Sequence, residues 1–450
     1  MPANSTTRFV GLDVHKRQIT ACFVDGEGRK LETRTFELTR AKLAYFAQHV
    51  LRPNDQVALE ATTNCWAVAR ILQDHVTRVV VSNPLVTKAI AQAKVKTDKV
   101  DAHVLAQLLR CDFLPEVWHP DTTTQQLREL TGRRAALVQQ RTALRNRIHS
   151  ALAMRLIETP ESLFNSAGQD WLAKLLPGLD AQGRLLITSD QRLIQALQQE
   201  IDALEQQLAS QGWQDQRVRL LMTLPGVDLT VAEAVLAALG DIERFTTPEQ
   251  AAAYLGLVPS TRQSADKCYH GPITKRGNNQ ARWMLIQAAH HVGKHPGPLG
   301  HFFRRLKQRK NYNVAVVATA RKLVMIAWHM LRKNEPYRYA MPRTTETKLA
   351  TLRVQATGQS RKKCSAKRTK LTAKLPGGSR IIKSLDRVYA SEGLPVRQPL
   401  TVGEGRTIAA TQSVQFVADL AHDHVVPRKQ KTPRVAEPLS TDGAAVQPAS

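Results

Sequence analysis

The chain has 450 residues, with 64 Lys+Arg against 38 Asp+Glu, a formal net charge of +26 and a pI near 10.2; this excess exceeds what solubility needs and points to polyanions, most simply nucleic acid. The length allows roughly two to four domains, and 42% hydrophobic residues give ample material for folded cores. Five cysteines scattered singly (Cys22, Cys65, Cys111, Cys268, Cys364), without a C-x-x-C pair, argue against a disulfide framework or zinc site, and no uncharged apolar run approaches ~18 residues, which argues against a membrane span.

The N-terminus M-P-A-N-S-T-T-R lacks the basic-then-apolar pattern of a signal peptide, so a cytoplasmic protein is expected. Arg8 to Val14 is a short apolar run containing Asp13, and Gln18 to Val24 is a second. D-G-E-G at Asp25 to Gly28 is a hairpin-type turn signal, and Arg29 to Leu38 alternates as a third strand should. Arg40 to Val50 reads as an amphipathic helix ended before Pro53. A strand at Gln56 to Glu60, a helix from about Asn64 to Gln73 and a strand at Thr77 to Val81 follow. Three strands able to form a meander, then alternating helix and strand, predict a mixed α/β sheet covered by helices.

Val100, Val104, Leu105 and Leu108 recur at three- and four-residue steps, which predicts a helix opening near Thr97. Asp98 and Asp101 are then one turn apart on one face. Two readings stand: Asp98 is the N-cap with Asp101 favouring the helix start, or both carboxylates serve a cation. Asp13 on the first strand and Glu60 ending the fourth are two further acids placed at strand ends. Four carboxylates converging there would require neutralisation by a divalent cation; paired Mg²⁺ ions in such a cage suit phosphodiester displacement. Singly, Asp13 and Glu60 read equally well as solvated surface acids.

G-L-D-V-H-K at Gly11 to Lys16, A-L-E-A-T at Ala58 to Thr62 and K-T-D-K-V-D-A at Lys96 to Ala102 resemble the DEDD motif of the DEDD transposases. These are the insertion-sequence 110 type of bridge-RNA-guided recombinase, akin to the Piv DNA invertase. The resemblance implies an RNase H-like (RuvC-like) domain with Asp13, Glu60, Asp98 and Asp101 as its metal-binding tetrad. His15 and Lys16 belong to the pattern but are assigned no chemistry, His15 reading as structural.

From Thr122 to about Ile157 the chain is expected to be helical, with arginines at Arg128, Arg133, Arg134, Arg141, Arg145, Arg147 and Arg155. Leu127, Leu130, Leu137, Leu144, Ile148 and Leu152 keep near-heptad spacing, and Ser189 to Gln211 repeats it through Leu193, Ile194, Leu197, Ile201, Leu204 and Leu208. This is either a helical hairpin with a solvated basic face or a dimerising coiled coil whose arginines grip nucleic-acid backbone. Glu158 to Gly183 is the expected irregular joint. Leu221 to Gly240 resembles a helix-hairpin-helix, whose Pro-Gly turn would point N–H groups at phosphate; Asp228 stands where a second glycine is usual, and a purely structural turn is the other reading.

A-A-Y-L-G-L-V-P-S-T-R-Q-S-A-D-K, Ala252 to Lys267, followed by G-P-I-T-K-R-G-N, Gly271 to Asn278, resembles the C-terminal transposase domain of the same family. There a loop serine, here Ser264, is implied to be the nucleophile that holds DNA phosphate covalently, with Ser260 as fallback. Ala265-Asp266 replaces the family's Gly-Gly. Arg262, Lys267, Lys275 and Arg276 are placed to neutralise phosphate. Helices are expected at Gln280 to Val292 and Val314 to Arg332, and the Thr-, Pro-, Gly- and Ser-rich remainder, with R-K-K-C-S-A-K-R-T-K at Arg361 to Lys370, reads as a disordered basic tail.

The expected organisation is a RuvC-like domain at 1–120, a helical coiled-coil segment at 121–212, a mainly α transposase domain at 213–340 and a low-order tail at 341–450. The expected function is a DNA transposase or site-specific recombinase using Mg²⁺ and Ser264. Its partners would be donor and target DNA, a structured noncoding guide RNA implied by the family, and further copies of itself as a dimer or a dimer of dimers, with the composite site formed between subunits. The alternatives are a RuvC-like junction nuclease, in which water attacks, and a non-catalytic nucleic-acid binder.

Overall fold

The computed structural model describes residues 7–90, 97–264, 267–359, 379–411 and 413–427. The chain divides into two compact units, one ending at Asp121 and the other starting at Thr122.

In the first unit β1 (Phe9–Val14), β2 (Gln18–Val24) and β3 (Lys30–Glu37) form an antiparallel meander, followed by α1 (Arg40–His49), β4 (Gln56–Glu60), α2 (Cys65–Leu72), β5 (Arg78–Ser82), α3 (Pro84–Ile90) and α4 (Asp98–Arg110). The sheet order is β3-β2-β1-β4-β5, with β1, β4 and β5 parallel. Side chains alternate across a strand. Val10, Leu12, Val57 and Leu59 therefore share a face that packs on Leu43, Phe46 and Ala47 of α1 and Val68, Ala69 and Leu72 of α2. The opposite face presents Cys22, Ala58 and Val80 to Ala102, Leu105, Ala106 and Leu109 of α4. Gly11 lies where α4 crosses: a Cβ there would stand 2.0 Å from the Ala102 carbonyl oxygen. A residue without a side chain is what lets the helix reach the sheet. A buried Arg8–Asp55 pair, with Nε–Oδ1 at 2.9 Å, ties the start of β1 to the turn before β4.

The second unit opens with α5 (Thr122–Ala153), α6 (Ser166–Leu175) and α7 (Ala181–Gln214). Bonds from Arg134 to Glu205, Arg141 to Gln198 and Arg147 to Asp190 ascend α5 as they descend α7, so the two helices run antiparallel, and just past the end of α5 Arg155 meets Asp180, the N-cap of α7. Ile148, Leu152, Leu163, Leu172 and Ile187 bury together where α6 covers the pair. The stretch expected to be an irregular joint thus contains a helix, and Leu193, expected in the seam, is exposed.

Next come α8 (Gln216–Leu221), α9 (Leu229–Leu239), α10 (Pro248–Tyr254), the hairpin of β6 (Pro259–Ser264) and β7 (Lys267–Ile273), α11 (Asn279–Val292), α12 (Pro298–Arg309), α13 (Tyr312–Lys333) and α14 (Pro342–Thr357). α9 is buried from Val231 to Leu239 and forms the middle of the core. α13 is long and apolar enough to cross a membrane by length and composition; here Ala315, Val316, Ala320, Leu323, Val324 and Ala327 are buried in the same core. Leu349 and Leu352 of α14 join them, as do Leu385 and Tyr389 of the helix Leu385–Ser391. The expectation of a low-order tail from 341 therefore fails for these residues, because small numbers of well-spaced apolar side chains anchor Thr-rich segments. The basic run 361–370 lies outside the described residues.

Candidate functional site

The approach of α4 over Gly11 delivers its N-terminus to the end of β1. Thr97 is the N-cap, accepting from the Val100 amide at 3.3 Å, so Asp98 is free of the capping role weighed for it. His15 Nε2 lies 3.1 Å from Asp13 Oδ2 and 3.3 Å from Asp98 Oδ1. One ligand atom from each of Asp13, His15 and Asp98 falls within 4.8 Å of the others. Gln18 donates to Asp98 Oδ2 at 3.1 Å. Glu60 is brought near by register rather than by a ligand contact in that group. β1 and β4 pair in parallel through Leu12 and Leu59, so Glu60 takes the next position beside Asp13, on the face of Ala58.

Electrostatics mark the same place. Burial pushes the Asp13 carboxyl up, His15 opposes this, and the charges of Asp98 and Asp101 raise it further. Asp101 thus belongs to the neighbourhood of Asp13 although it is not one of the three clustered ligands. His15 is raised chiefly by Asp13, then by Asp98, against a lowering by burial. An imidazolium here sits between two carboxylates, where a cation is favoured. Carboxylate oxygens with one imidazole nitrogen form a donor set suited to a divalent cation that retains waters. Sequence reasoning gave His15 no role; its i+2 spacing from Asp13 along extended chain was the available signal.

Ser264 ends β6, exposed, directly opposite Lys267 in the hairpin register. The stretch expected as a loop therefore holds a two-stranded ribbon; Ala265 and Asp266 lie outside the described residues. Arg262 faces Tyr269 one pair further down. Ser260 sits at the ribbon's base, where its Oγ would lie 2.5 Å from a Cβ on Gly271. Below it, Thr274 donates to Val258 O at 2.9 Å and Lys275 to Gly256 O at 3.2 Å. Gly277, at φ +79, would place a Cβ 1.9 Å from Tyr254 O, so the K-R-G turn closes onto the α10 end only with glycine there. Buried Arg282 donates to the carbonyls of Leu255 and Arg276, both at 3.1 Å, leaving the Lys275 and Arg276 side chains exposed.

Two other candidate nucleic-acid contacts turn inward. The α5 arginines named above spend their donors on α7, while Arg128 donates to the Ala237 and Ala238 carbonyls and Arg145 lies over the Phe164 ring; Arg133 remains exposed. The helical-hairpin reading fits this arrangement. At the Pro225-Gly226 turn, Lys348 Nζ donates to Leu224 O at 2.7 Å and Val227 O at 2.8 Å. Asp228 caps α9 through the Val231 amide at 3.0 Å, so a carboxylate already occupies the position a phosphate would take. The structure favours a structural turn.

Residues 10–155 match a family model described as a transposase, of the DEDD type of IS110, and residues 218–303 match that of the transposase IS116/IS110/IS902 family. The chain is 28% identical over 341 residues to a probable family 20 transposase of Pseudomonas aeruginosa, covering 73% of this chain and 98% of that protein. It is 26% identical to the transposase for insertion sequence element IS1111A of Coxiella burnetii, covering 74% and 91%. A pilin gene-inverting protein of Moraxella bovis is also 26% identical, with 73% and 97% covered.

Proposed function

The chain belongs to the IS110 family of transposases, enzymes that cut and rejoin DNA, and from that premise we propose that it does so through a carboxylate-held divalent cation and a covalent serine intermediate. The observation that carries this reading is the convergence of Asp13, His15 and Asp98, with Asp101 close enough to perturb Asp13. The 3-2-1-4-5 sheet with α4 packed across β1 supports an RNase H-like framework for it.

Asp13, Asp98, Asp101 and Glu60 would hold Mg²⁺, which, when bound, supplies charge neutralisation at the phosphate under attack. Asp13 and Asp98 orient His15, and Gln18 holds the outer oxygen of Asp98. Ser264 Oγ forms a bond to phosphorus as one strand P–O bond breaks, and the departing oxygen leaves as a hydroxyl carrying the proton that serine gives up. The hydroxyl of another strand reverses the step. Phosphoester bonds are conserved in number, so strand exchange needs no external energy. Arg262, Lys267, Lys275 and Arg276 neutralise the phosphate oxygens. A noncoding guide RNA pairing with donor and target, an even-numbered homo-oligomer and a cytoplasmic location complete the proposal.

A denaturing gel of the protein with its cognate DNA tests it. A slower-migrating protein–DNA adduct is expected, lost in Ser264→Ala and with chelator, and abolished by Asp98→Ala or Asp101→Ala without loss of fold. Metal-dependent cutting that survives Ser264→Ala would instead assign the attack to water.

A further inference from the structure

We propose that Tyr269 is a base-stacking residue, and that the β6–β7 ribbon lays its Ser264 face along a locally unpaired DNA strand. The inference rests on the reading of Ser264 as nucleophile and adds what positions the strand for it.

Directly opposed residues in an antiparallel pair share a face. The register sets Ser264 against Lys267 and Arg262 against Tyr269, so the four make one patch, with Tyr269 and Ser264 diagonal neighbours about 7–8 Å apart. The other face is internally occupied: Thr261 meets His270 Nδ1 at 3.2 Å and Cys268 lies 3.9 Å from His270 Nε2. No further strand pairs with the ribbon among the described residues, and both its strands are exposed nearly throughout. Tyr269 is left 64% exposed between cations.

The charge around it selects the occupant. Residues 259–276 carry Arg262, Lys267, Lys275 and Arg276 against Asp266 alone, which complements a phosphate backbone and opposes a second copy of a chain with net charge +26. Arginine and lysine track the backbone while an aromatic ring offers a platform to a base, the combination used by proteins that hold single strands. Stacking on that platform needs an open base face, which a paired duplex hides. A base seated on Tyr269 places the adjoining phosphate beside Ser264, so Tyr269 acts as a positioning residue.

The test is fluorescence anisotropy of the full-length protein, in chelator to prevent cutting, with a labelled single strand and with the matching duplex. Tyr269→Ala should weaken single-strand binding by roughly five- to 100-fold with duplex binding unchanged, whereas Tyr269→Phe, which keeps the ring, should bind as the parent does. Parent-like single-strand affinity in Tyr269→Ala overturns the inference, as does a dissociated oligomer with unchanged affinity, which would make the ribbon a subunit contact. Adduct formation, read separately on the denaturing gel, reports on Ser264 alone, so a missing adduct beside a Tyr269-dependent affinity refutes the nucleophile and leaves the stacking residue standing.

Discussion

Replacing Gly11 with alanine probes the contact on which the acid cluster depends. The new Cβ would lie 2.0 Å from Ala102 O and 2.6 Å from Ala106 N, both backbone atoms of α4, so no side-chain rotation relieves the clash. Real Cβ contacts essentially never fall under 3.0 Å, so the helix must withdraw by the difference, about 1 Å. Overpacking of this kind costs about 3 kcal/mol at the upper end of its usual range, which lowers the melting temperature of such a unit by on the order of 10 °C. The same displacement moves Asp98 and Asp101 away from Asp13, and a misplacement of about 1 Å can reduce turnover about 100-fold. Calorimetry on the full chain, hydrogen exchange over 98–110 and single-turnover cutting together measure this. A Gly11→Ala protein that melts within about 2 °C of the parent, with unchanged exchange in α4, would refute the close-approach reasoning.

Three further outcomes are expected. Asp13 keeps its proton to higher pH when folded than when unfolded, so in cation-free buffer the first unit loses stability as pH rises from the ordinary aspartate range through the raised value; Asp13→Asn should flatten that slope in pH-dependent melts. Glu233 is buried, its two carboxylate oxygens have no hydrogen-bond partner among the described residues, and burial pushes it up to about 8. Stability of the second unit should therefore fall between about pH 4.5 and 8, by on the order of 4 kcal/mol, and Glu233→Gln should remove most of that fall in denaturant titrations. Arg134→Ala and Glu205→Ala, combined in a double-mutant cycle, should show a coupling of about 0.5–1 kcal/mol for this partly exposed pair, with DNA affinity unaltered in either single variant.

The strands of the first unit are legible because their apolar residues alternate or run unbroken, and the acids are legible because they stand at the ends of those runs. The β6–β7 ribbon is not, because both of its faces are wet and Arg262 to Ser264 carry no two-residue apolar rhythm. The α5 arginines show the limit of composition as a guide. Their partners on α7 lie 43 to 71 residues away, so the same sequence reads as a basic binding face until the antiparallel pairing is known. α14 was hidden by its threonines: Leu349 and Leu352 are too few to signal a helix, yet both are fully or almost fully buried. Lys348 in turn was unremarkable among 64 basic residues until its ammonium met two turn carbonyls. Asp228 is the reverse case, since its departure from glycine is visible in the chain and is accounted for by the cap it makes.

The ladder of arginines across α5 and α7 also bears on how ionic strength should govern association with DNA. Each cation that meets a phosphate releases condensed counterions and steepens the fall of affinity with salt. Arg134, Arg147 and Arg155 already have carboxylates for neighbours, so they displace few counterions from a duplex. The logarithmic salt slope should accordingly be shallower than the formal charge of the chain implies, and the helical pair should hold together at concentrations that strip the nucleic acid away.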